Sequence, residues 1–344
     1  MAAECRHAYG HLRPQSSLLR SILRIGPSLV VPGDERVIAE MVSLCNRRLA
    51  RFGPGDDVVR ILRASLGKVD SYGVLMQRAR FIAEAGALGI RVPATREIPS
   101  AQALAELAKE IPFPVVIKLD GTSGGSGTVV VRDAKDALVK FQMLRSLRRR
   151  MEKKLGSALR GEGSVVAGFG EWRTPVLNLQ AHVQGRSVTT AFACWEGRLI
   201  GAIHAEVVQE AWANGPATVI RLISDPEMEA NAELIASRFG LSGLHGLDYM
   251  RDSSGRLWLI EINPRLTQIA HLALGPGRDL AAALLACATG QPVAPRPVKI
   301  DSDLVALFPQ EWLRDRNSDY LRTAYHNVPS NNPDFVKAVL GRTP

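Results

Sequence analysis

Apolar and polar residues along the first hundred positions recur with the spacing of short helices and one strand. Segments 17–25 and 34–50 have apolar residues at helical spacing, and 28–32 between them predicts a short buried strand. Asp34 stands where the second helix begins, as a side-chain cap. This order is typical of the end of an α/β domain. A parallel strand needs neighbours that the preceding residues do not supply, so this domain is interpreted as truncated.

The following 200 residues predict paired strands separated by helices. One helix is expected to close at Gly89, Ser100 caps the next, and a long helix starts near Asp133. Predicted strands are 113–119, 127–133, 177–183, 187–195, 198–208, 244–250 and 256–263. Glu196 and Gly197 are the predicted hairpin turn between 187–195 and 198–208. Asp225 and Pro226 open a helix, and 278–290 forms the last long one. Beyond Pro292 the pattern predicts only loops and short elements.

The composition is that of an ordinary globular protein. The 344 residues are 46% hydrophobic and 22% charged, which is enough for a sizeable core. No apolar run approaches the ~18 residues of a membrane helix, and positions 1–15 lack a signal-type apolar segment. The four cysteines are far apart and form no CxxC, so a zinc knuckle or a disulfide framework is not indicated. A soluble cytoplasmic protein without a membrane partner is expected.

A net charge of +9 suits polyanionic partners, and much of the excess lies between Arg145 and Arg160. This run falls on the outer side of a predicted helix and has no interleaved aromatic residues. Single-strand binding usually adds stacking platforms, so a solvated helix face is favoured over a nucleic-acid or membrane patch. No nucleic-acid partner is expected.

A glycine-rich loop separates two of the predicted strands. It consists of Gly121, Thr122, Ser123, Gly124, Gly125, Ser126 and Gly127, and Lys118 lies on the strand before it. Glycines let backbone N–H groups approach an anion, and the hydroxyls add donors. The order differs from a P-loop and from the dinucleotide fingerprint, because a strand follows instead of a helix. A flexible hairpin loop is the alternative.

Asp248, Glu261 and Asn263 form a second candidate group on neighbouring strands. Strict alternation places Leu257, Leu259, Glu261 and Asn263 on one face. With a hairpin loop at 252–255, Asp248 is expected opposite Leu259 and within ~7–8 Å of Glu261. Three oxygen donors would then suit a hard cation such as magnesium. The alternative is a solvated polar face.

Two arginines follow these acidic residues. Arg265 lies just past the proposed metal ligands, where a guanidinium would offset a phosphate or carboxylate. Arg278 stands at a predicted helix start, where backbone N–H groups already favour anions. The seven histidines show no HxH or HExxH spacing, which argues against zinc chemistry.

In sequence order these motifs resemble the ATP-grasp superfamily. The shared features are Gly89–Pro93 at a helix exit, Pro114–Lys118, the glycine loop, and Asp248 followed by Glu261–Arg265, within about residues 29–290. The resemblance implies an α+β ATP-grasp fold, with two α+β subdomains around the nucleotide, after a truncated α/β N-terminal domain. The expected division is 1–65 for that remnant and 66–295 for the ATP-grasp domain, with 296–344 as an extension. Within the domain, 85–175 would bind nucleotide and 176–295 metal and substrate.

The resemblance also implies roles for individual residues. Lys118 would contact the α- and β-phosphates together with Arg78, which stands where the family usually has Lys, and the glycine loop would cover the nucleotide. Asp248, Glu261 and Asn263 would hold Mg²⁺, with Mn²⁺ as an alternative. The linking strand 179–183 would contact adenine, and Gln180 and Val183 are assigned there. Its usual acidic residues are replaced by Ala181 and Arg186-Ser187, which leaves ribose recognition open.

The activity that the resemblance implies is ATP-dependent ligation of a carboxylate to an amine or thiol through an acyl phosphate, with Arg265 and Arg278 stabilising the transferred charge. A small-molecule kinase and a catalytically degenerate nucleotide-binding protein are the alternatives. The partners expected are ATP, a small carboxylate and a nucleophile, and a homodimer is left open.

Overall fold

The computed structural model describes residues 14–122, 127–159, 176–298 and 300–341. Its helices are α1 Pro14–Ile25, α2 Glu35–Phe52, α3 Asp57–Leu66, α4 Tyr72–Leu75, α5 Arg78–Ala87, α6 Ala101–Glu110, α7 Ala134–Leu159, α8 Pro226–Phe239, α9 Leu280–Thr289, α10 Gln310–Arg314, α11 Tyr320–Thr323 and α12 Pro333–Leu340. Its strands are β1 Thr95–Glu97, β2 Val115–Leu119, β3 Thr128–Val131, β4 Leu177–Ala181, β5 Gly185–Trp195, β6 Arg198–Glu210, β7 Ala217–Ile223, β8 Gly243–Asp252, β9 Leu257–Asn263, β10 Leu304–Ala306 and β11 Tyr325–His326.

The strands form two sheets. The smaller has the order β1-β4-β2-β3, and each of its pairings is antiparallel. The larger has the order β11-β10-β7-β6-β5-β8-β9, and all of its pairings are antiparallel except that of β10 with β11. Helices interspersed with antiparallel sheets make this an α+β fold, which confirms the expected class.

The small sheet packs one face on two helices and turns the other toward the large sheet. Ile117 and Leu119 pack with Leu104 of α6 and Phe141 of α7 in one apolar core. Lys118, between them, points to the opposite face because side chains alternate along a strand. Burial of both faces explains why β2 is a continuous run of buried residues.

The N-terminal helices share a core with the large sheet. Side chains from α1 to α5 pack with α8, β8 and β9 in one cluster of buried residues. Backbone contacts reinforce it: the Lys68 N–H donates to Gly240 O at 2.8 Å, and Ser71 Oγ donates to Phe239 O at 2.7 Å. The proposed boundary at residue 65 stays a prediction, and the structure joins the residues on its two sides through this core.

Segment 28–32 is not a strand, although its apolar pattern predicts one. It is a single segment that pairs with no strand. The Val30 N–H donates to Ser65 Oγ at 2.9 Å, and Pro32 O accepts from the Leu266 N–H at 3.2 Å. A helix side chain and a loop therefore satisfy backbone groups that a neighbouring strand would otherwise pair with. A short apolar run in the sequence does not distinguish a paired strand from an unpaired segment of this kind.

Several local predictions are confirmed. Asp34, Ser100 and Asp225 accept hydrogen bonds as helix caps, and Glu196 and Gly197 form the turn between β5 and β6 with positive φ. Within the described residues, none of the helices is long and apolar enough to cross a membrane.

Candidate active site

A cleft with a volume of about 530 Å³ lies between the two sheets. The small sheet contributes Lys118 and Gln180, and the large sheet contributes Asp248, Glu261 and Asn263. This volume falls within the usual range of small-molecule sites, and the polar groups converge on one wall. The cleft therefore brings together residues that are 145 positions apart in the chain, from Lys118 to Asn263.

A β-bulge corrects the expected register of the acidic pair. Asp248 pairs directly with Glu261, and Tyr249 pairs with Leu259, so Ile260 is an extra residue in β9. Strict alternation breaks at that point, and Leu259 packs in the core while Glu261 and Asn263 line the cleft. The two carboxylates are therefore direct cross-strand neighbours and not a diagonal pair.

Hydrogen bonds orient the oxygen donors. Thr189 Oγ1 donates to Asp248 Oδ1 at 2.8 Å, and Asn263 Nδ2 donates to Asp248 Oδ2 at 2.7 Å. Desolvation by burial, together with the neighbouring charge of Glu261, raises the pKa of Asp248. A divalent cation would relieve this repulsion. The donor set of two carboxylates and one amide oxygen is of the hard type that Mg²⁺ prefers, so these residues fit the ion.

Histidine and cysteine take no part in this donor set. Across the part of the chain that the structure describes, no group of three or more His, Cys, Asp or Glu side chains could hold a metal. At the cleft the third candidate donor is the amide oxygen of Asn263, and asparagine is not one of these four residue types. A zinc-type site is correspondingly not supported by the donors present here.

Arg78 connects the two sides of the cleft. Its Nη1 donates to Asp120 Oδ1 at 2.7 Å, and its Nη2 donates to Glu261 Oε2 at 2.9 Å. Asn178 Nδ2 donates to the same Asp120 oxygen at 2.9 Å. Asp120 therefore holds the guanidinium from the first residue beyond β2, where the glycine loop begins. Sequence reasoning missed this role, because Asp120 belongs to no motif beyond its position beside Gly121.

Lys118 is a second cation at this wall. Its Nζ lies 3.8 Å from Glu261 Oε2, and only 5% of the residue is exposed. Burial lowers the pKa of Lys118 to about 8. Desolvation alone would raise the pKa of Glu261, but the charges of Arg78 and Lys118 outweigh it and lower that pKa. Glu261 is thus ionised at neutral pH, which is the form in which a carboxylate can bind a metal ion.

Arg265 lies at the same end of the cleft. Its Nε donates to Glu35 Oε1 at 2.6 Å and its Nη2 to Asn263 Oδ1 at 3.2 Å. Its Nη1 also donates to Leu266 O at 3.2 Å. The guanidinium is therefore fixed between the proposed metal ligands and the first turn of α2. Glu35 is a site residue that sequence reasoning did not find, since it is 230 positions from Arg265.

The end of β4 lines another part of the cleft. Gln180 and Val183 both lie in its wall, as the linking-strand assignment requires for contact with a base. Gln180 Nε2 donates to Thr95 Oγ1 at 3.1 Å and to Ile260 O at 3.3 Å. These bonds tie β4 to β1 and to the bulge in β9. The side-chain nitrogen of Gln180 is thus engaged with protein groups, and its strand is paired on both sides within the small sheet.

The glycine loop is described only at its two ends. Gly121 has φ +73°, Thr122 Oγ1 donates to Leu119 O at 2.7 Å, and a Cβ on Gly127 would lie 2.2 Å from Thr122 Oγ1. Gly127 therefore has room only for hydrogen beside this threonine. Ser123, Gly124, Gly125 and Ser126 lie outside the described residues, and their predicted roles stay predictions.

Arg278 is separate from the cleft. Its side chain is exposed, and it is not among the residues that line the space between the sheets. The residue after it, Asp279, caps α9 and pairs with Arg296 at 2.9 Å. The structure therefore does not bring Arg278 together with Lys118 and Arg265, although all three are predicted as catalytic.

A family model matches one part of the chain. Residues 158–268 match the sequence model of the ATP-grasp domain, and this range includes Asp248, Glu261, Asn263 and Arg265. The chain contains an ATP-grasp domain. A search of curated protein sequences gives no match. The resemblance to the ATP-grasp superfamily is confirmed.

Solved structures agree on the ATP-grasp fold. The biotin carboxylase of Campylobacter jejuni, in a β-γ-ATP complex, has a TM-score of 0.58 and 14% identity over 81% of this chain and 58% of that one. The biotin carboxylase domain dimer of Hydrogenobacter thermophilus 2-oxoglutarate carboxylase, with MgADP, ADP and bicarbonate, gives 0.55 and 16% over 83% and 58%. The N5-carboxyaminoimidazole ribonucleotide synthetase of Thermus thermophilus gives 0.56 and 17% over 83% and 68%.

The chain spans less than two thirds of the length of both biotin carboxylase chains. At these identities the likeness establishes the fold and not the reaction.

Proposed function

We propose that the protein is an ATP- and magnesium-dependent ligase that joins a carboxylate to an amine, or alternatively a thiol, and releases ADP and phosphate. The supporting observation is the arrangement of charges in one cleft of an ATP-grasp fold. Two cations, Arg78 and Lys118, face two carboxylates, Asp248 and Glu261, and Arg265 lies beside them. This combination suits a polyphosphate with a bound cation.

Asp248, Glu261 and Asn263 would hold the magnesium ion. When bound, the ion neutralises phosphate oxygens and draws charge from the transferred phosphoryl group. Thr189 orients the Asp248 carboxylate for this purpose, and Asn263 bridges Asp248 and Arg265. These residues supply position and charge, which are the main protein contributions to phosphoryl transfer.

Lys118 and Arg78 would bind the triphosphate. Both lie close to Glu261, and each would be free to contact phosphate oxygens if a metal ion took its place beside that carboxylate. Asp120 keeps Arg78 in place from its other side. The end of β4, with Val183, would contact the base, and the glycine loop would cover the phosphates.

The reaction needs no covalent protein nucleophile. An oxygen of the substrate carboxylate attacks the γ-phosphorus, the bond to the β,γ-bridging oxygen breaks, and ADP leaves with its electron pair. The amine nitrogen then attacks the acyl carbon, the carbon–oxygen bond to phosphate breaks, and the nitrogen loses a proton to the departing phosphate. Arg265 would stabilise the negative charge that develops on the acyl phosphate and on the leaving phosphate.

Product analysis tests this proposal. The purified protein is incubated with Mg-ATP and panels of carboxylates and amines, and ADP, free phosphate and coupled product are followed separately. A ligase yields ADP, free phosphate and an amide in equal amounts. ADP with a stable phosphorylated product would instead identify a kinase. Nucleotide binding without turnover on any panel would identify a protein that has lost catalysis and would overturn the proposal.

Glu261→Ala provides the matched negative control for that assay. It removes one proposed metal ligand, so turnover should fall to background. Glu227→Ala removes an acidic side chain that is 52% exposed and pairs with Arg91 outside the cleft, and its turnover should equal that of the parent.

A further inference from the structure

The first turn of α2 enters the reactive end of the cleft. Gly33, Asp34 and Glu35 line the same space as Asn263 and Arg265. The Asp34 side chain fixes this turn by accepting from the Val37 N–H at 2.9 Å. The segment lies outside the residues that match the ATP-grasp family, 158–268.

Glu35 is paired with the cation that the proposed function assigns to the substrate. Its Oε1 accepts from Arg265 Nε at 2.6 Å, and the two side chains are 25% and 19% exposed. The remaining nitrogens of Arg265 bond to Asn263 Oδ1 and Leu266 O. The Nε edge of the guanidinium is thus occupied by a carboxylate that the metal site does not use.

This pair affects which carboxylates can bind. A substrate with only a carboxylate that approaches Arg265 meets the negative charge of Glu35 beside it, which costs binding energy. A zwitterion avoids this cost, because its carboxylate faces Arg265 while its ammonium faces Glu35. In an α-amino acid a single carbon separates these two groups, so both can reach a bonded Arg–Glu pair at once.

We propose that Glu35 determines specificity by binding the ammonium group of an amino acid whose carboxylate is activated beside Arg265. The inference rests on the proposed ligase function and names its carboxylate substrate class. An ammonium held by Glu35 keeps its proton and has no lone pair for attack. The amine that is joined must therefore come from a second molecule.

The test compares the twenty standard amino acids with the carboxylic acids that lack only the α-amino group. ADP release with an amine panel gives kcat and KM for each pair. The parent should use an amino acid with kcat/KM at least ~30-fold above that of its des-amino partner, as expected for a partly buried charge pair. Glu35→Gln should abolish this preference through KM, and Glu35→Asp should restore part of it.

Two further measurements separate specificity from general damage. Mg-ATP affinity by calorimetry should change far less in Glu35→Gln than amino-acid affinity does, because Glu35 is not a proposed metal or phosphate ligand. Binding of the selected amino acid in the presence of a non-hydrolysable ATP analogue should weaken in Glu35→Gln by the same ~30-fold. Glu227→Gln, which changes an exposed side chain outside the cleft, should leave both affinities unchanged.

The outcomes are distinguishable. Equal use of amino and des-amino acids, or a Glu35→Gln variant that slows both alike, would overturn the role of Glu35 and leave the ligase function standing. A preference for amino acids that Glu35→Gln retains would also overturn it. No ADP release with any carboxylate would overturn the ligase function, and the substrate inference with it.

Discussion

Arg78 Nη2 donates to Glu261 Oε2 at 2.9 Å, which joins a helix outside both sheets to the strand that bears the candidate metal ligands. The other side of the same guanidinium is bonded to Asp120, at the start of the glycine loop. One side chain thus connects the start of the glycine loop with the acidic wall of the cleft. Lys118 Nζ also lies 3.8 Å from Glu261 Oε2, so two cations of the protein offset the charge of this carboxylate.

Arg78→Ala should weaken Mg-ATP binding at least about tenfold, since a charge-assisted hydrogen bond contributes about 1.5–3 kcal/mol. Arg78→Lys should lie between this variant and the parent, because an ammonium keeps the charge but cannot bridge Asp120 and Glu261 as a fork does. Calorimetric titration measures both. Arg80→Ala, on the exposed side of the same helix, is the control and should bind like the parent. Equal affinity of Arg78→Ala and the parent would remove Arg78 from the phosphate site.

Lys118 gives the site a pH dependence. With a pKa of about 8, its charge is present at lower pH and is lost as the pH rises through 8. ATP affinity of the parent should therefore fall between pH 7 and 9. Lys118→Ala should bind ATP more weakly at pH 7 even with magnesium present, and should show a flatter profile. Lys109→Ala removes a lysine that is 70% exposed, so its profile should match that of the parent. A profile shared by Lys118→Ala and the parent would contradict this account.

Gly67 supports the junction between the N-terminal helices and the large sheet. Its φ is +78°, and an added Cβ would lie 2.1 Å from Gly240 O. Gly53 has nearly the same φ, +79°, but no atom within 4 Å. Both alanine variants incur backbone strain of about 1 kcal/mol, and Gly67→Ala adds a clash with backbone, so we expect it to cost at least about 3 kcal/mol. Urea unfolding measures the loss of stability in each variant. Equal losses would contradict this account, because they would show that the junction accommodates the added Cβ without cost.

His245 should make the protein sensitive to acid. Its ring is fully buried against Phe192, and burial lowers its pKa to about 4. The unfolded chain, with a pKa near 6.5, binds this proton more readily, so stability is lost as the pH falls below about 6.5. Between pH 8 and 5 we expect a loss of about 2 kcal/mol from this residue.

Urea unfolding of the parent and of His245→Asn at several pH values measures the slope. The variant removes the titrating group, so its stability should change less with pH, whatever its stability at pH 8. A residual slope is expected, because burial also lowers the pKa values of His204, His271 and His326. Identical slopes for the two proteins would contradict the assignment to His245.

Local chemistry explains which features the sequence predicts well. Caps such as Asp34 and Ser100 and the turn at Glu196-Gly197 depend on residues a few positions apart, and all three are confirmed. The motif that ends in Glu261 and Asn263 also keeps its two donors on one face, since they are two positions apart in a strand. Those predictions need no knowledge of the rest of the chain.

Relations between distant segments could not be predicted. The bulge at Ile260 places Asp248 opposite Glu261 instead of Leu259, and no local signal in β9 reveals the extra residue. Glu35 contacts Arg265 because segment 28–32, which pairs with no strand, places the start of α2 at the cleft. Arg278 resembles an anion-binding residue at a helix start, but its helix begins away from the space between the sheets. In each case tertiary packing determines the contact.

Calorimetric titration with ATP, in the presence and absence of magnesium, tests the central claim most directly. For the parent we expect binding that requires magnesium, because Asp248, Glu261 and Asn263 are the proposed ligands of the ion. Glu261→Gln should lose the dependence on magnesium, and Glu227→Gln should keep it. Binding that is indifferent to magnesium, or a Glu261→Gln variant that behaves like the parent, would contradict the magnesium–nucleotide site proposed for this cleft.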